Sequence, residues 1–74
     1  MTRKSYVKFV DDPRGLEVQT LRGETLGGIA WYARWQEHVF VPELGTVFSS
    51  SCMEDIVEMV KVMNAARKQE RLAI

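Results

Sequence analysis

Residues 26–48 read LGGIAWYARWQEHVFVPELGTVF, and how this stretch pairs with itself decides the fold. It holds both tryptophans and two of the three phenylalanines, so the bulkiest side chains available to a small core come from here. Apolar residues on either side of 33–36 recur with a period of two, the spacing of a strand. Strands are expected over 25–32 and 37–41, the second ended by Pro42. If 33–36 connect them, Trp31 lies opposite His38 and Ile29 opposite Phe40. Ile29, Trp31 and Phe40 then share one face; Ala30, Tyr32, Glu37, Val39 and Val41 share the other. A slip of one residue would turn Phe40 to the wrong face, so packing specifies the pairing. Trp31 and Phe40 are accordingly expected in the core. Gly27 and Gly28 weaken a strand and mark a bulge or a place where another backbone or ring comes close.

Upstream, 16–21 alternates and reads as a strand, joined to 25–32 through Arg22-Gly23-Glu24. Strand 4–10 alternates too, with Val7 and Phe9 toward the core, and Asp11-Asp12-Pro13-Arg14-Gly15 makes the turn. Downstream, Pro42-Glu43-Leu44-Gly45 is a second turn, and Thr46-Val47-Phe48 (46–48) is a candidate short edge strand. The period then changes. Met53, Ile56, Val57, Val60 and Met63 recur at helical spacing, and Cys52, Met59 and Ala66 widen the stripe. A helix over 51–68 is expected, capped by Ser51 with Glu54 or else by Ser49. Glu54, Glu58, Lys61, Ala65 and Lys68 form its solvated face. Acids lie near its start, and Arg67, Lys68 and Arg71 near its end, as the helix dipole prefers. The fold class is α+β: an antiparallel meander of three or four strands with one C-terminal helix on one face, a single domain over 1–74.

At 74 residues such a chain buries only about 60% of its extended surface, so its core is small. Ten basic and ten acidic residues give zero formal charge, which disfavours a protein built mainly to grip phosphates. Cys52 is the only cysteine, so neither an intrachain disulfide nor a multi-cysteine zinc site is available. The start MTRKSYVKFVDD has charges where a signal peptide needs an apolar run, and no segment approaches membrane-span length. A cytoplasmic protein is the expectation.

Leu26-Gly27-Gly28-Ile29 with Trp31-Tyr32, then Trp35, Val39-Phe40-Val41-Pro42, Thr46-Val47-Phe48, Cys52-Met53, Asp55-Ile56 and Asn64, resembles a group of small phage and prophage proteins of unassigned function. His38 stands where that pattern has a second aromatic. The resemblance covers roughly residues 26–64 and implies a bacterial cytoplasm during infection or lysogeny. It implies no catalytic activity.

Tyr32, Arg34, Trp35 and Gln36 are the candidate binding residues. Trp, Tyr and Arg dominate interface hot spots, and an aromatic beside a guanidinium also holds a base. The alternative is that Trp35 folds back to shield the end of the core. His38 lacks a second histidine and reads as structural, and Cys52 on the apolar stripe as a small buried side chain. No nucleophile–base pair, phosphate loop or ligand set emerges, so no catalytic residue, metal or cofactor is expected. Val39, Val41, Val57, Met59 and Val62 exceed what one helix on one sheet face covers, which points to self-association as a two-fold dimer. The expected function is a non-catalytic interaction module binding a host or phage protein, with antagonism of a bacterial defence system as one instance. A nucleic-acid or nucleotide binder using Tyr32, Arg34 and Trp35, and a structural homo-oligomeric component, are the alternatives.

Overall fold

Alternation of apolar and polar residues carries the chain through four strands before the helical period takes over. The computed structural model describes residues 5–72, with side chains through Lys68. Strands β1 (Val7–Asp12), β2 (Gly15–Thr20), β3 (Thr25–Tyr32) and β4 (Glu37–Pro42) form one antiparallel sheet in the order β1-β2-β3-β4. Helix α1 (Ser50–Leu72) packs on one face of it. No helix among the described residues is long and apolar enough to cross a membrane.

The β3–β4 register is the expected one: Ile29 pairs with Phe40 and Trp31 with His38. Element ends differ. β1 runs on to Asp12 instead of stopping at residue 10, because the reversal needs only Pro13 and Arg14, with the Arg14 N–H held by Asp12 Oδ1 at 2.9 Å. The expected start at Lys4 lies outside the described residues, as does the side chain of Arg71. Thr46, Val47 and Phe48 form no strand. The Thr46 N–H and hydroxyl both turn back to the Glu43 carbonyl, Gly45 takes a φ of 82°, and Val47 is left exposed. Phe48 instead meets Phe40 edge-on, ring centroids 5.5 Å apart. The helix cap is Ser49, not Ser51: Ser49 Oγ accepts the Cys52 N–H at 3.2 Å, and its carbonyl accepts that of Met53.

The core is Val7, Val18, Leu26, Ile29 and Ile56, surrounded by Phe9, Leu16, Phe40, Phe48, Cys52, Met59, Val60 and Met63. Leu26 reaches it through a bulge. Val18 pairs with Gly27 and Gln19 with Thr25, so Leu26 is the extra residue on β3. Gly27 supplies the close approach: a Cβ there would lie 2.3 Å from the Val41 carbonyl oxygen and 2.8 Å from Phe40 Cζ.

Trp31 departs from expectation. It is half-buried and stands outside the core. The helix crosses the sheet from the start of β1 to the start of β4, and at Trp31 the sheet meets Arg67 rather than an apolar residue. The guanidinium carbon sits 4.3 Å from the Trp31 ring centroid.

Candidate functional site

The β3–β4 loop follows from local chemistry. The Trp35 N–H bonds back to the Tyr32 carbonyl and the Gln36 N–H to the Ala33 carbonyl, both at 3.2 Å. Gln36 adopts a φ of 55°, a left-handed conformation uncommon outside glycine, and its side-chain amide donates to the Ala33 carbonyl at 2.7 Å. These bonds lock residues 33–36 into one shape. Tyr32 and Trp35 are brought together edge to face, ring centroids 5.0 Å apart. Trp35 does not fold back over the core: it remains 65% exposed. Arg34 and Gln36 are exposed beside it. The four candidate binding residues are thus all exposed, and Tyr32 and Trp35 are in ring contact.

The loop continues into the sheet face that the helix does not cover. Val10, Glu17, Gly28 and Val41 form one cross-strand row there, and Asp12, Gly15, Ala30 and Val39 the next. Glycine and alanine leave a shallow concavity of about 520 Å³, rimmed by Arg14, Glu17, Val41 and Glu43. Gly15 lets β2 and β3 approach closely here, since a Cβ at this position would meet the Ile29 carbonyl oxygen at 2.2 Å. The Glu17 carboxylate accepts from Gln19 Nε2 and, at 3.1 Å, from the Thr25 hydroxyl.

The residues expected to self-associate fall on separate surfaces. Val39 and Val41 lie on the bare sheet face, Val57 and Val62 are exposed on the helix, and Met59 packs against the core.

Two residues that tie the helix to the sheet edges are hard to see in the sequence. Asn64 Oδ1 accepts the His38 N–H at 2.6 Å and lies 3.1 Å from His38 Nδ1, while Asn64 Nδ2 donates to the His38 carbonyl at 3.4 Å. The amide thus satisfies an outward-facing backbone pair of edge strand β4, as a neighbouring strand would. At the other edge Asp55 Oδ2 accepts the N–H of Tyr6, just ahead of β1, at 2.7 Å. The signal for Asn64 was its spacing: it follows Val60 by one turn, on the edge of an apolar stripe where an amide needs a partner. Asn64→Ala should remove about 1–2 kcal/mol and lower the melting temperature by about 4–15 °C, measured by circular dichroism.

His38 also meets Trp31 edge-on at 5.4 Å, completing a chain Arg67–Trp31–His38–Asn64 that fastens the helix to the base of the loop. Among the described residues no three His, Cys, Asp or Glu side chains converge on one point. Fold and site together define a small α+β domain that presents an exposed, hydrogen-bonded aromatic loop beside an uncovered sheet face. Comparison with protein-family models, curated proteins and solved structures finds no match to this chain.

Proposed function

We propose that the protein is a non-catalytic interaction module whose β3–β4 loop binds another protein. One observation carries this: Trp35 is 65% exposed on a loop locked by its own hydrogen bonds and backed by Tyr32. An exposed tryptophan gives up much water-accessible apolar area on binding. A preformed loop loses little conformational freedom in doing so, which is what makes an aromatic a hot spot. Arg34 and Gln36 supply polar contacts around it.

The resemblance of residues 26–64 to small phage and prophage proteins suggests the setting, a bacterial cytoplasm with a host or phage protein as partner. Antagonism of a defence system is one form this binding would take. Nucleic acid is the less favoured ligand. Formal charge is zero, and the guanidinium nearest a second indole, Arg67 over Trp31, is already engaged.

Capture from bacterial lysate on immobilised protein, with and without nuclease, tests the proposal. A partner protein should be retained in both arms by the parent and lost with Arg34→Glu and with Trp35→Ala. Release of the partner by nuclease would transfer the site to nucleic acid. Equal capture by the variants would remove the loop from the function.

A further inference from the structure

We infer that the open edge of β1 and the helix beside it form a groove for an extended segment of a partner protein. The segment adds to the sheet as a further strand, and its side chains toward the helix run basic, apolar, basic at alternate positions. The two edges of the sheet are unequal. On β4 the Asn64 amide occupies the outward N–H and C=O of His38, and Pro42 carries no N–H. β1 has no such cover. Only Pro13 and Arg14 separate Asp12 from Gly15, so this pair exchanges both backbone bonds, and alternation turns Lys8 and Val10 toward β2 as well. Val7, Phe9 and Asp11 therefore direct their N–H and C=O groups away from the sheet. Among the described residues no hydrogen bond reaches those groups. Such a row at an edge is a template for another strand.

A strand added here lies about 4.8 Å from β1. It runs along a groove of about 310 Å³ between β1 and the helix, lined by Ser5, Phe9, Asp55, Glu58, Met59 and Val62. The last four recur at spacings of three and four, so one helix face makes the far wall. Val62 is 57% exposed there, and Phe9 and Met59 are half-buried. The added residue opposite Phe9 points its side chain to the same face as Phe9, where an apolar group covers Met59 and Val62. Its neighbours two places away on either side meet carboxylates. Asp11 stands at one end of the edge; Asp55, which holds the Tyr6 N–H, stands at the other, with Glu58 one turn along the helix. The described residues that line the groove include no basic side chain. Lysine or arginine at the two flanking positions matches that charge, while the main chain pairs with β1.

NMR titration of the isotope-labelled full chain with the capped peptide Lys-Thr-Val-Thr-Lys tests this. The amide signals of Val7, Phe9 and Asp11 and the methyl signals of Met59 and Val62 should shift and saturate. The same peptide N-methylated at its valine keeps charge and side chains but lacks the N–H that the Phe9 carbonyl accepts. It should bind at least tenfold more weakly, as should a peptide with glutamates in place of the lysines. Asp11→Lys/Glu58→Lys should weaken binding of the parent peptide at least tenfold while melting within a few degrees of the parent. If that variant fails to fold, the N-methylated peptide decides alone. Trp35→Ala should bind the peptide undiminished, which separates this groove from the loop's partner. Equal binding of the N-methylated peptide would reduce the contact to charge attraction and overturn the inference, as would the absence of any saturable shift. Shifts of the same amides on diluting the protein alone would give the edge to a second copy and overturn it too.

Discussion

Gly27→Ala should leave the protein without a cooperative unfolding transition. The added Cβ would sit 2.3 Å from the Val41 carbonyl oxygen and 2.8 Å from Phe40 Cζ, at a φ of 156° that side-chain-bearing residues rarely adopt. A flexible side chain can move aside from such a contact; a carbonyl within a ladder cannot. Relief requires β4 to shift away from β3, which breaks the pairing of Gly27 with Pro42 and Gly28 with Val41. Phe40 would be displaced from the edge of the core at the same time. Ordinary overpacking costs about 1–3 kcal/mol, and a backbone collision costs more. A domain of 74 residues has about 4–11 kcal/mol in total. Urea denaturation followed by circular dichroism checks this, and a midpoint close to the parent's would mean that β3 and β4 do not approach as described.

Ile29→Ala should be the most damaging truncation of a side chain. Ile29 is 1% exposed and sits where β2, β3, β4 and the helix meet. Removing its outer carbons costs about 2–5 kcal/mol, a large share of the stability of a domain this size. Trp31→Ala should cost less despite the larger ring. Trp31 is only half-buried, and it loses the contact with Arg67 and the edge of His38, worth about 1 kcal/mol at such a site, plus part of its packing. Paired urea titrations read the order directly. A Trp31 variant less stable than the Ile29 variant would put the indole back in the core.

Placing Trp31 in the core beside Ile29 is what the sequence alone suggests, and why it misleads is instructive. Period and register were legible: alternation on both sides of 33–36 placed Ile29 against Phe40, and one buried face made any other pairing costly. The Gly27 signal was legible as well, since a glycine inside a strand leaves few explanations, and both of them hold here. What alternation does not encode is how far along a face the covering helix reaches. Trp31 shares a face with Ile29, yet the helix crosses obliquely and meets it with Arg67, a residue read only as a charge near the helix end. The strand expected at residues 46–48 misled for a similar reason. Thr-Val-Phe has strand propensity, but the hydroxyl of Thr46 finds the Glu43 carbonyl and the ring of Phe48 finds Phe40. Local and tertiary contacts outweigh propensity in so short a run.

The binding residues divide in the same way. Aromatic and guanidinium content marked the loop as a candidate, and the sequence left Trp35 between core shield and contact. The outcome depended on Gln36, whose left-handed backbone and side-chain bond to Ala33 set the direction of the loop. Nothing in the residue types announces that conformation. Tyr32 then supports Trp35 from below, and the indole faces outward.

The affinity of the captured partner for the parent and for Trp35→Ala, measured by titration calorimetry beside the melting temperature of each, bears most directly on the interaction proposed for this loop. A hot-spot tryptophan is worth at least about 2 kcal/mol, so the variant should bind about 30-fold more weakly or not at all while melting within a few degrees of the parent. Undiminished affinity in a folded Trp35→Ala would contradict it.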